Sequence, residues 1–157
     1  CGFEEVLNPK TESLYNPDEC KLVMDYIQNL LQELTYMDTD ISIGIIAPYR
    51  EQVTYMRLYD EENARLCTHY DIDIDTIDSF QGQERDIILI SMVRSNDRGE
   101  IGFLKDYRRM NVAFTRAKKL VRVFGDGATL SQDTFYNQWI DYCQNINGYR
   151  SAWEFLG

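Results

Sequence analysis

The sequence predicts an α/β fold of three layers, a mostly parallel sheet with helices on both faces. Three short runs, Ile41–Ala47, Ile87–Val93 and Leu120–Phe124, are apolar at nearly every position and rich in β-branched residues, as in strands buried on both sides. Segments of helical period separate them, and no dipeptide of the tight-hairpin type joins them. With 157 residues, 44% of them hydrophobic, the chain suffices for one ordinary domain.

Residues 1–16 lack periodicity, carry Gly2 and Pro9, and read as a lead-in segment, leaving 17–157 as the domain. Asn16 suits an N-cap, with Pro17 at the first helical position and Glu19 at N3. Leu22, Val23, Tyr26, Ile27, Leu30, Leu31 and Leu34 then recur at helical spacing. Pro48 ends the first apolar strand, and a second helix is expected from Tyr49 to Leu66. Asp71–Asp78 alternates Asp with Ile or Thr, the pattern of a strand with one wet face. Ser95–Glu100 has loop composition, and a basic helix is expected over Tyr107–Lys119. Gly125 and Gly127 close the last strand, and a final helix runs from Ala128 or Ser131 through Cys143 to a stop at Asn147-Gly148.

Sixteen Lys and Arg against 26 Asp and Glu give a formal charge of −10, which excludes a general nucleic-acid coat protein and confines any such contact to a local groove. Cys1, Cys20, Cys67 and Cys143 form no C-x-x-C pair and have only His69 as an imidazole partner, so no metal site is expected. Without a signal peptide or a membrane-length apolar run, the cysteines read as reduced and the compartment as cytoplasmic, or nuclear in a eukaryote.

Ligands of open parallel sheets gather at the carboxyl ends of strands, where the sequence places Pro48–Gln52, Ser79–Glu84 and Arg94–Asn96. Gly82 after Gln81 suits a tight turn that a ligand can approach closely, with Glu84 facing a ribose or an ordered water. A bulge glycine and a surface glutamate explain the same residues equally well. On a helix over 107–119, Arg109 and Arg116 fall within about 20° of one face. Met110, Phe114 and Ala117 would fill the core, and Lys118 and Lys119 would sit at the negative helix end. Such a row suits bidentate phosphate recognition, although a solvated basic face is the simpler reading of any basic helix.

Two longer strings are more specific. Thr76-Ile-Asp-Ser-Phe-Gln-Gly-Gln-Glu-Arg-Asp86 resembles motif V of superfamily-one helicases, and Arg108-Arg-Met-Asn-Val-Ala-Phe-Thr-Arg-Ala-Lys118 resembles motif VI. The likeness is greatest to the Upf-like branch that contains the nonsense-mediated-decay helicase and its DNA-acting relatives. Ser13-x-x-Asn16-x-x-Glu19, Ile43–Gln52 as motif IV and Gly102-Phe-Leu104 follow in family order, so the resemblance covers roughly residues 10 to 145. It implies the C-terminal RecA-like domain of a P-loop NTPase-type motor that uses ATP with Mg²⁺ and acts on single-stranded DNA or RNA, moving 5′ to 3′. By the same resemblance Arg116 is an arginine finger on the γ-phosphate, and Gln81, Gly82 and Glu84 face the nucleotide. Arg109 bridges toward a partner domain or holds the site's carboxylates. Thr76 touches the nucleic-acid backbone, with Pro48, Tyr49, Arg50 and Gln52 assigned to the groove.

The chain contains no G-x-x-x-x-G-K-[ST] phosphate loop and no acidic Mg²⁺-holding motif after an apolar strand. The Q-Y-R-M segment that opens this domain in relatives is also missing. An N-terminal RecA-like domain of the same protein is therefore the expected partner, and the isolated chain is expected to be inactive. Two rival classes remain: a helicase-fold regulatory or protein-interaction domain without catalysis, and a nuclease or nucleotide-binding enzyme using Asp71, Asp73, Asp75 and Asp78 as a metal cluster. An exposed edge-strand face explains those aspartates as well.

Overall fold

Both-face burial puts two apolar strands at the centre of a four-stranded parallel sheet. In the computed structural model, which describes residues 3–36 and 40–155, β3 (Ile43–Ala47) and β5 (Arg85–Ser91) are central. They are flanked by β4 (Ile72–Thr76) and β6 (Ala117–Phe124) in the order β4-β3-β5-β6. Alternate residues part to opposite sides. Ile43, Ile45, Ile87 and Leu89 join a core with Cys20, Val23, Met24 and Ile27, whereas Ile46, Ile88 and Ile90 join one with Phe80, Met110, Ala113, Tyr136 and Ile140. Two apolar layers on one sheet make the three-layer RecA-like architecture that the sequence predicts.

The first core is supplied by α1 (Pro17–Thr35) and α2 (Arg50–Tyr59), the second by α4 (Tyr107–Phe114) and α6 (Thr134–Asn145). Asn16 caps α1 as expected, its side chain accepting from the Glu19 amide at 3.0 Å. The capping box stays half made. Asn16 N–H donates to Gln52 Oε1 at 2.8 Å, and the fully buried Glu19 reaches the end of β5 instead, accepting from Ser91 Oγ and the Val93 amide.

Several boundaries differ from the sequence reading, each for a local reason. The lead-in forms a small hairpin, β1 (Val6–Leu7) against β2 (Leu14–Tyr15). Cys1 and Gly2 lie outside the described residues. The second helix does not run to Leu66: α2 passes into a π-turn, Asp60–Ala64, broken by Arg65 at φ +50° before a short α3 (Leu66–His69). The last helix is two, α5 (Gly127–Leu130) and α6, because Asp126 and Asp133 each cap a separate start. It ends where expected, with Asn147 at φ +55° and Gly148 N–H donating to the Cys143 carbonyl.

The basic helix is the largest correction. It stops at Phe114, where Thr115 Oγ1 turns back onto the Asn111 and Val112 carbonyls, and β6 takes over from Ala117. Arg109 and Arg116 therefore do not share a helix face, and Lys118 and Lys119 belong to a strand.

The link from β4 to β5 decides where the site lies. Both strands neighbour β3 and run parallel to it, so residues 77–84 must carry the chain from the carboxyl end of one to the amino end of the other. A single 3₁₀ turn, Ile77–Phe80, makes this passage. Phe80 packs across β3 at Gly44, where an added Cβ would sit 2.7 Å from the ring.

Candidate functional site

That short crossing overturns the expectation that all informative segments share the carboxyl edge. Gln81–Glu84 arrives at the amino end of β5, and Arg116 stands just before the amino end of β6. The two meet through the backbone: Arg85 N–H donates to the Arg116 carbonyl at 3.0 Å, in register with the Arg85–Ala117 pair. Gly82 has φ +74° and nothing within 4 Å of the place a Cβ would occupy, so the turn is open to a ligand. Gln81 and Glu84 are exposed. Arg116 is half-buried, and its Nε donates to the Val112 carbonyl at 3.2 Å, at the negative end of α4. Among the described residues neither Glu84 nor Arg116 has an ion-pair partner.

The rest of this edge is neutralised internally. The Asp86 carboxylate accepts from Ser42 N–H and Oγ at the start of β3 and pairs with Lys119 at 3.3 Å. The Ser42 amide bond, more than the nearby lysine, holds its carboxyl below the usual range. Against that background an unpaired guanidinium suits an incoming anion, and its planar fork fits phosphate oxygens.

Arg109 lies in the first turn of α4 and pairs with Asp78 at 2.7 Å, while its Nε is buried without a partner among the described residues. It thus holds a carboxylate of the 3₁₀ turn. Two further aspartates of the rival metal cluster are engaged separately, Asp73 by Arg85 at 2.7 Å and Asp75 by Arg57 at 3.1 Å. Among the described residues no three His, Cys, Asp or Glu side chains converge as a metal would require. The donors at the amino edge fit the phosphate end of a nucleotide, not its metal.

The carboxyl edge gathers Pro48, Tyr49, Arg50, Thr76 and the Arg94 segment, as the sequence places them. Arg50 is exposed and Pro48 half-buried. Tyr49 and Gln52 do not face a groove. Tyr49 is 5% exposed, and Gln52 is wholly buried, donating to the Asn16 carbonyl and Ser91 Oγ. Thr76 is nearly buried, its N–H turned to Asp75. Arg94 is enclosed, clamped by Glu5 at 2.8 and 3.2 Å and donating to the Tyr49 hydroxyl at 3.2 Å. Glu5 also accepts from the Ser95 amide, so the hairpin is tied to the sheet end. Sequence reasoning missed Glu5, whose carboxylate in an aperiodic segment carried no signal, and Phe103, recorded only as part of a motif string.

Val93 shapes this end with φ +70°, a conformation that costs a β-branched residue about 1–3 kcal/mol and persists because its neighbours over-determine it. Its amide is held by Glu19 at 2.8 Å, and its carbonyl accepts from Asn16 Nδ2 at 3.0 Å.

The residues around both edges fall within a stretch, 2–128, that matches the profile of a family described as AAA domain. The chain belongs to that family. It is 36% identical over 90% of its length to DNA polymerase alpha-associated DNA helicase A of Saccharomyces cerevisiae. Helicase SEN1 of the same yeast is 42% identical over 85% of the chain, and an uncharacterized ATP-dependent helicase of Methanocaldococcus jannaschii 37% over 87%. The chain spans 20%, 6% and 19% of these relatives. It is a helicase-family domain of the superfamily-one, Upf-like kind. Among the described residues no helix is long and apolar enough to cross a membrane.

Proposed function

We propose that this chain is the second, C-terminal RecA-like domain of an ATP-dependent helicase or translocase, working in the cytoplasm or nucleus. The observation that carries the reading is the meeting of Glu84 and Arg116 at neighbouring strand starts, joined by the Arg85–Arg116 backbone bond. ATP lies between this amino edge and an N-terminal RecA-like domain, which supplies the phosphate loop and the Mg²⁺ ligands. Arg116 meets negative charge that grows on the γ-phosphoryl oxygens, and Glu84 with the open Gly82 turn contacts the nucleotide or its water. The carboxyl edge forms part of a groove for single-stranded DNA or RNA. Closing and opening of the cleft steps the groove along the strand, 5′ to 3′ by resemblance to the family.

Because Arg116 acts on charge that develops only during transfer, Arg116→Ala in the intact enzyme is expected to lower kcat by roughly 10³-fold or more while ATP affinity changes far less. Arg116→Lys should rescue poorly, since a point charge does not reproduce a planar fork. Arg108→Ala, at an exposed position without an ion-pair partner among the described residues, should be milder. Turnover near wild type in Arg116→Ala would take the finger away from this residue and leave a basic surface.

A further inference from the structure

The structure assigns a base-stacking role to Phe103, which we propose receives one nucleobase of a strand crossing the carboxyl edge; the inference rests on the single-strand reading above. Phe103 is 60% exposed, yet its backbone is fixed: it lies in the 3₁₀ turn Gly102–Lys105, with the buried Ile101 just before the turn and the buried Leu104 within it. One face of the ring lies on Tyr49, centroids 5.0 Å apart and planes 27° from parallel. Tyr49 is itself immobilised, because its hydroxyl accepts from Arg94 Nη1 and from the Phe103 amide, both at 3.2 Å.

The backing is built to close tolerance. Gly102 has φ +50°, and a Cβ there would collide with the Arg94 guanidinium and the Tyr49 hydroxyl. Arg94 is in turn held by Glu5, so hairpin, strand end and turn converge on the ring. An aromatic side chain fixed this way has already lost its rotational freedom, and a base that stacks on it has little further ordering to offset.

The surroundings favour a nucleobase over a protein surface. Exposed Arg50 follows Tyr49 directly in the chain, and exposed Lys105 closes the turn of Phe103, so each aromatic of the pair has a cation for phosphate oxygens within two residues of it. In a chain of net charge −10 a broad basic groove is not available. Stacking gives affinity that needs neither such a groove nor a particular base.

Binding by the intact protein of fluorescent oligothymidylate and oligouridylate, and of an abasic strand of equal length, tests the assignment. Phe103→Ala and Phe103→Leu are expected to weaken binding of the base-bearing strands by about 10-fold, as loss of one stacked base does. Phe103→Trp should retain it, and all four proteins should bind the abasic strand alike. Unfolding midpoints identify any variant that fails to fold, and the leucine variant keeps the apolar contact with Tyr49. Equal loss on base-bearing and abasic strands would make Phe103 a structural prop and overturn the assignment. So would undiminished binding by both Phe103→Ala and Phe103→Leu with wild type still binding. Wild type binding none of the strands would instead bring down the parent reading, and the stacking role with it.

Discussion

Glu19 shows how much a buried carboxyl at a strand end can govern. It sits wholly buried beneath the carboxyl edge, facing Ser91 and the Val93 amide, with Asp126 the nearby like charge. Desolvation outweighs these hydrogen bonds and pushes its pKa from 4.5 up to about 7. The sign follows from linkage: the folded state binds the proton more tightly than the unfolded chain, so this contribution is complete below pH 4.5, declines as pH rises and is gone above about pH 7. The loss is on the order of 3 kcal/mol. Glu19→Gln keeps the carbonyl acceptor and removes the titration, so its melting temperature should fall by several degrees less than that of wild type between pH 5 and pH 8. Parallel melting curves for the two proteins across that range would show that Glu19 is already ionised in the fold. The Val93 turn that Glu19 holds carries Arg94, Tyr49 and Phe103, so this same residue sets the carboxyl edge.

At the scale of elements, two backbone positions carry the irregular geometry. Exposed Arg65, at φ +50°, ends the π-turn that breaks the second helix, and Arg65→Gly should stabilise by about 0.5–1 kcal/mol in urea unfolding. Gly44 accommodates the crossing of residues 77–84, and Gly44→Ala, with its Cβ 2.7 Å from Phe80 and 2.9 Å from Ile88, should destabilise by about 1–3 kcal/mol. Phe80→Leu in that background should recover part of the loss, and additive effects of the two changes would refute a shared contact. These positions also mark the limits of what the residues reveal. The central strands were legible because burial on both faces leaves them no polar alternation, and α1 because Asn16 and Pro17 start it. The hairpin was not, since its strands are two residues each, one exposed and the other only half-buried. Nor was the end of α4: Ala117, Lys118 and Lys119 are good helix formers, and only pairing beside β5 makes them a strand. The site residues were legible as strings, but their grouping into two opposite edges depended on the crossing, which local pattern does not encode.

Taken whole, the molecule is a folded unit with two cores on one sheet and half of each proposed site. The isolated chain should therefore unfold in a single cooperative transition, yet hydrolyse no ATP, because the phosphate loop it lacks carries most of the binding of a triphosphate. Turnover stimulated by nucleic acid, and abolished by a mutation within the chain, would overturn that. Its own contact with single strands should be weak and of little sequence preference. The net charge of −10 opposes a general attraction to the backbone, and at the carboxyl edge exposed Arg50 and Lys105 are the cations next to the proposed stacking pair, so few phosphates are expected to be neutralised there. With two or three such contacts, log K should fall against log salt with a slope no steeper than about −2. Chemical-shift changes on titrating an oligonucleotide should cluster at Thr76, at the turn of residues 48–52 and at Phe103, with the Gln81–Glu84 turn unaffected. Shifts concentrated at the amino edge would exchange the proposed roles of the two edges, since the same phosphate chemistry would then be reading the strand where the nucleotide is expected.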